Sequence, residues 1–281
     1  MKRQSLTFAA IAAVTILSGA GACATTQDAA SSAVARGALD QAVAAATRTA
    51  ANVQRDRYRH PAETLAFFGI RPSDTVVEIW PGGGWYTEII APYVLGGGGT
   101  YYAAGMGERG TAAVQRLMQG NPNLYGGVKL ATFPSWAAGD TRVPDGSADA
   151  VLTFRNVHNW RMGFQRNDQD YSLEAFQQMY RMLKPGGVLG VEDHRLPETA
   201  DAERERSSGY IKVSTVRRLA EQAGFRFAGA SEINANPRDT ADWPNGVWTL
   251  PPSYALRDQD RERYAAIGES DRMTLKFIKP R

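Results

Sequence analysis

The 281-residue chain contains three histidines, His60, His158 and His194. His158 and His194 each come just after an apolar run of strand character, Ala150–Phe154 and Val188–Asp193. Two chemistries suit that placement. One is a general base that takes a proton from a reacting group; the other is a metal site to which Glu192 or Asp193 adds a carboxylate. Ordinary hydrogen-bonded histidines would leave the same pattern. Asn156, Asn159 and Trp160 crowd the loop of His158, which makes it the preferred base, with Asn156 and His194 as its neighbours in the site. No HExxH or His-x-His spacing occurs, so the site is read as metal-free. Arg155 places a charge directly after an apolar strand, where it needs a partner, and Glu78 or Glu192 is nearest by topology.

A second group of residues lies earlier, in Glu78-Ile-Trp-Pro-Gly-Gly-Gly-Trp85. Gly82, Gly83 and Gly84 fall between an apolar strand and a helix, where backbone comes close to a ligand and the helix start offers free N–H groups. In open α/β sheets such turns lie at the carboxyl ends of strands, which is where ligands bind. Trp80, Trp85, Tyr86 and Trp160 read either as an aromatic wall for a cationic or apolar ligand or as core packing.

The elements that must position these residues alternate regularly. Helices are predicted over Leu39–Tyr58 and Pro61–Gly69, the second with proline at its start and glycine at its end. Strand Thr75–Ile79, the glycine turn and helix Trp85–Val94 make half of a βαβ unit. Strands Thr100–Ala104, Val128–Phe133 and Ala150–Phe154 and helices Glu108–Gln119 and Tyr171–Leu183 continue it. Lys184-Pro-Gly-Gly187 reads as a turn into strand Val188–Asp193, followed by helix Ser214–Ala223 and strand Phe225–Ile233. This order predicts a doubly wound, mostly parallel α/β sheet with helices on both faces. The stretch near 234–270, with Trp243, Trp248 and Tyr254 among prolines, reads as a lid packed by its own aromatics.

Composition agrees: 43% hydrophobic and 22% charged residues suffice for one large domain. The 32 Lys+Arg nearly balance 29 Asp+Glu, and no basic block points to nucleic acid. The start, MKRQSLTFAAIAAVTILSGAGAC, has basic residues, a short apolar stretch and a small-residue run, the pattern of an export signal. We expect a signal over residues 1–22, a flexible tether over 23–38 and one domain over 39–281, with a periplasmic location. Cys23, the sole cysteine, excludes an internal disulfide and falls where a lipid-anchor cysteine would lie; Ala20-Gly21-Ala22 equally fits simple signal cleavage, which would leave the cysteine incidental.

Three segments together carry a resemblance. VVEIWPGGGW, VPDGSADAVLTFRNVHNW and RMLKPGGVLGVEDH resemble, in order and spacing, the first-motif, fourth-strand and fifth-strand regions of the class I S-adenosylmethionine-dependent methyltransferases. RHPAETLAFFG, EIWPGGGWYTEI, FRNVHNW, EINANP and GVWTLPP are similar to stretches of a group of exported bacterial proteins described as predicted methyltransferases. The resemblance implies a Rossmann-like, seven-stranded sheet and methyl transfer from S-adenosylmethionine to a small-molecule acceptor. It implies that Glu78, Trp80, Gly82, Gly83, Gly84 and Arg155 face the cofactor, that Asp140 meets its adenine amino group, and that His158 and His194 come off neighbouring strands. The sequence departs from the family twice. Trp80 replaces the first glycine of the loop, and the second strand ends in Tyr102-Ala-Ala-Gly105 without the acid that usually accepts the ribose hydroxyls. The alternative these departures raise is an exported protein that keeps the fold but binds another small ligand or a metal.

Overall fold

The computed structural model describes residues 33–281; the expected signal, Cys23 and the first part of the tether lie outside them. Short helices lead the chain: α1 over 33–43, α2 over Ala50–Val53, α3 over Asp56–Arg59 and α4 over Pro61–Phe68. The alternating region follows, with β1 (Thr75–Ile79), α5 (Thr87–Gly96), β2 (Thr100–Gly105), α6 (Gly107–Gly120), α7 (Pro122–Tyr125) and β3 (Lys129–Thr132). It continues through β4 (Ala148–Phe154), α8 (Val157–Arg161), α9 (Ser172–Met182), β5 (Leu183–Leu196), β6 (Ile211–Lys212) and α10 (Val213–Gln222). The chain closes with β7 (Arg226–Ser231), α11 (Arg261–Ile267) and β8 (Arg272–Ile278).

The sheet order is β3-β2-β1-β4-β5-β8-β7, with the two-residue β6 paired to β5 off this path. Strands β1 to β5 run parallel, and β8 is antiparallel to both β5 and β7. Successive strand residues point to opposite faces and feed two cores. Val77 and Val151 pack with Trp160, Phe176 and Leu219 on one face; Val76 and Leu152 pack with Leu65, Phe68 and Ile90 on the other. Each large apolar side chain fully buried this way contributes about 1.5–3 kcal/mol. Among the described residues no helix is long and apolar enough to cross a membrane.

Several expectations change. Residues 33–38 of the expected tether belong to α1, because Leu39 is buried and Ala38, Ala42 and Val43 pack beside it. The helix expected over Leu39–Tyr58 is broken into three. Arg48 Nη1 donates locally to the carbonyl of Val43 at 2.8 Å, and Thr49 Oγ1 donates to Glu88 at 2.6 Å, so a local side-chain bond and a tertiary one turn the chain where helix propensity alone would continue it. Lys184–Gly187 is not a separate turn but a bulge inside β5: Ala148 pairs with Leu183 and Ala150 with Val188. The seven strands expected form the continuous sheet, and the two-residue β6 is an addition that pairs with β5 off that path.

Register aligns Ile79 with Thr153 and Phe154 with Glu192, so the carboxyl ends of β1 and β4 lie beside Glu192 of β5, which runs on to Leu196.

Candidate functional site

The turn after β1 forms one wall of the site. Trp80 has φ 50°, in the left-handed region that glycine takes easily, and its N–H donates to the carbonyl of Ala104 at 2.8 Å. Gly82 and Gly83 are exposed, and a Cβ at either would meet nothing within 4 Å. Their backbone is therefore open to a ligand. Behind the turn, Glu78 is buried and accepts hydrogen bonds from Thr87 Oγ1, at 2.9 Å, and from the Tyr101 hydroxyl. Burial pushes the Glu78 carboxyl up to about 7 against the opposing effect of those two bonds.

The Trp80 indole reaches from the end of β1 to the residue after β3, with β2 lying between them in the sheet. Its Nε1 donates to the carbonyl of Phe133 at 2.8 Å, and its ring meets Trp160 edge-on at 5.9 Å and Phe164 at 6.4 Å. At the end of β2, a Cβ on Gly105 would come within 2.6 Å of the backbone of Gly110. The packing of α6 thus excludes any side chain there, including the missing acid.

The opposite wall comes from β4 and β5. Arg155 follows β4 with φ 62°, and its N–H donates to the carbonyl of Glu192 at 2.7 Å. Asn156 Nδ2 donates to the carbonyl of Ile79 at 2.9 Å and to Thr153 Oγ1 at 3.1 Å, tying the loop after β4 to β1. His158 is buried, with Nδ1 2.6 Å from Asp193 Oδ1 and its backbone N–H donating to Asp193 Oδ2 at 3.1 Å. Asp193 Oδ1 also accepts the N–H of His194. A carboxylate that only accepts places the imidazole proton on Nδ1 and leaves Nε2 as a base. His194 lies beside it, ring centroids 5.0 Å apart, with Nδ1 2.5 Å from Ser270 Oγ. Burial, then the nearby His158, Arg155 and Arg272, hold its pKa well below the ordinary histidine value, so it stays neutral.

These walls enclose a cavity of about 310 Å³, at the small end for ligand sites. Val247, Trp248, Pro251, Pro252 and Ser253 of the predicted lid cover it, and Asn52, Arg55 and Arg59 close the N-terminal side. Glu78, Trp80, Gly82, Gly83, Arg155, Asn156, His158 and His194 all line it, as does Trp248. Gly84, His60 and Asp140 do not. The Asp140 side chain instead accepts the N–H groups of Trp136 and Ala137, both at 2.8 Å, and closes its own turn. Neither predicted partner pairs with Arg155: Glu192 faces Arg272 at 3.2 Å and accepts the Tyr86 hydroxyl at 3.1 Å.

The sequence reading missed the cationic side of the cavity. Glu269 joins Arg55 at 2.6 Å, Arg59 at 3.0 Å and Arg272 at 2.9 Å. The available signal was the i,i+4 spacing of Arg55 and Arg59, which puts both on one side of a helical turn. His158, Asp193 and His194 bring ligand atoms within 4.8 Å of one another. For a cation, however, the surroundings are repulsive: Asp193 is already taken by three hydrogen bonds, and the guanidinium groups of Arg155 and Arg272 act on His194.

Comparison with known proteins agrees with this architecture. Residues 77–191, from β1 into β5, match the family model described as a methyltransferase domain. The structure is similar to that of a SAM-dependent methyltransferase from Aquifex aeolicus at 15% identity, with a TM-score of 0.53 over 80% of this chain and 92% of that one. It is also similar to the [4+2]-cyclase SpnF at 16% identity, with a TM-score of 0.56 over 81% of this chain and 82% of that one. No curated protein matches the sequence. The chain thus has the Rossmann-like α/β fold of these solved structures, and its residues 77–191 match a methyltransferase domain.

Proposed function

We propose that the protein is an exported, S-adenosylmethionine-dependent methyltransferase acting on a small-molecule acceptor, with the cavity at the ends of β1, β4 and β5 as its reaction chamber. The observation that carries this reading is the buried His158–Asp193 pair in the wall of the cavity that the glycine turn also lines. The open backbone of Gly82 and Gly83, with Glu78 behind it, fits the methionine half of the cofactor. The end of β2 offers no carboxylate to its ribose, and Gly105 admits none. When bound, the cofactor supplies an electrophilic methyl group on a positively charged sulfur.

The chain's own residues do the rest. Nε2 of His158 takes a proton from the acceptor, and Asp193 holds the ring in place and stabilises the imidazolium that forms. His194 stays neutral and adds no charge to oppose that step. Asn156, with Nδ2 engaged by β1 and β4, positions the loop. Trp248 and the prolines beside it exclude water from the chamber. The leader and Cys23 support a periplasmic location, with the chain anchored through a lipid on that cysteine.

Trp80 and Gly105 favour a second reading, in which the same chamber serves another small ligand; the fold's occurrence in a [4+2]-cyclase fits it. Calorimetric titration of the processed protein with S-adenosylmethionine and S-adenosylhomocysteine separates the two. Saturable one-site binding supports methyl transfer; no heat at millimolar ligand leaves the second reading.

A further inference from the structure

Arg155 is the one cavity-lining arginine that lacks an ion pair among the described residues. Among the described residues its guanidinium makes no hydrogen bond, and its Nε is buried without a partner. The residue reaches this position through a left-handed backbone, φ 62°, which a side chain adopts only when the surroundings enforce it. The same cavity contains two more unsatisfied donors, Nη1 of Arg59, whose side chain is 1% exposed, and Nη2 of Arg55.

The carboxylates nearby are already engaged. Glu269 holds Arg55, Arg59 and Arg272; Glu192 faces Arg272 and Tyr86; Asp193 holds His158; Glu78 is bonded by Thr87 and Tyr101. Arg155 feels the charges of Glu192 and Glu269 but forms no ion pair with either, and its buried Nε has no partner; a ligand anion relieves the cost of that unmet donor. A planar guanidinium fork suits an oxyanion better than a halide or a neutral group.

We propose that the cavity is an oxyanion site in which Arg155, with Arg59 Nη1 and Arg55 Nη2, holds the carboxylate or phosphate-type group of the bound small molecule. Assigning that group to the methyl acceptor rests on the methyltransferase reading; the anion site itself does not. The carboxylate of the methyl donor is the other source of the same chemistry.

The test is calorimetry of the processed protein with inorganic phosphate and with malonate at constant ionic strength. Saturable binding to the wild type is expected, weakened more than about tenfold in Arg155→Gln and unchanged in Arg166→Gln, which lies outside this cavity. Arg155→Lys, which keeps the charge but loses the fork, is expected to fall between. In anion-free buffer Arg155→Gln is expected to melt no lower than the wild type, because it removes a cation that has no direct ion pair and a buried donor without a partner. Absence of saturable anion binding to the wild type, or equal binding to folded Arg155→Gln, overturns the proposal. Repeating the titration with saturating S-adenosylhomocysteine identifies the source: competition assigns the oxyanion to the donor, independent binding to the acceptor. Anion binding without S-adenosylmethionine binding retains the anion site and removes the methyltransferase reading; the reverse result does the opposite.

Discussion

Nδ1 of His158 lies 2.6 Å from Oδ1 of Asp193, a contact between residues 35 positions apart that exists because β4 and β5 are parallel neighbours. Both side chains are almost wholly buried, so the geometry is set by packing and does not depend on water. The same carboxylate binds the backbone of His158 and of His194, which fixes the ring against the strand ends. An imidazole held this way needs little rearrangement to accept a proton.

Asp193→Asn keeps the shape but offers an amide in place of an acceptor-only group. The variant is expected to lower kcat about 10²–10⁴-fold, as loss of the group that orients a general base does, while S-adenosylmethionine affinity stays within a few-fold. His158→Ala should fall by a similar factor, and the double variant by little more than either single one. Additive losses in single-turnover assays would show that the two residues do not act as a unit.

Glu78 gives stability a pH dependence of unusual sign. Its carboxyl is raised from 4.5 to about 7, so between those values the folded protein keeps a proton that the unfolded chain has released. Stability from this group is present below pH 4.5 and is lost as pH rises through 7. Glu78→Gln removes that loss. At pH 8 the variant should be more stable than expected from its pH 4.5 value by up to about 3 kcal/mol relative to wild type. Urea denaturation at the two pH values checks this; parallel curves would mean that Glu78 ionises normally.

His194 acts in the opposite direction. Its pKa is depressed by burial and by neighbouring cations, so below about pH 6.5 the unfolded chain binds a proton that the folded protein excludes. Stability should fall as pH drops beneath that value, and His194→Gln should flatten the fall. A melting series from pH 7.5 to 5 on wild type and variant reads it directly, and identical slopes would assign the acid sensitivity to other groups.

Much of this was legible in the sequence because local pattern and tertiary role coincided. The apolar runs before Trp80 and Arg155 marked strand ends, and strand ends in an open α/β sheet are where ligands bind; His194, expected just past its strand, lies inside β5 instead, paired with Arg272 of β8. What was not legible depended on long-range contacts. Thr49 helps to break a helix whose residues favour it, through its bond to Glu88. Glu269 reaches Arg55 across 214 positions, and no spacing rule encodes that. Asp140 precedes the Val143-Pro144 pair, the place expected of a ligand-binding acid, but its own turn consumes the carboxylate.

Trp80 is where the donor assignment can be tested most sharply. The residue has a left-handed φ of 50°, so Trp80→Gly suits the backbone while removing an indole that is hydrogen-bonded to Phe133 and packed on Trp160. The lost packing should cost about 2–4 kcal/mol of stability, since the ring is only partly buried. If the indole occupies space that the cofactor needs, S-adenosylmethionine affinity should nevertheless rise in the variant. If the indole is part of the ligand wall, affinity should fall with stability. Gly105→Asp is the necessary control, because the backbone of Gly110 lies 2.6 Å from any Cβ there. It should destabilise the protein by about 1–3 kcal/mol through overpacking without improving binding. An affinity gain in Trp80→Gly together with none in Gly105→Asp would locate the departure from the family in one side chain.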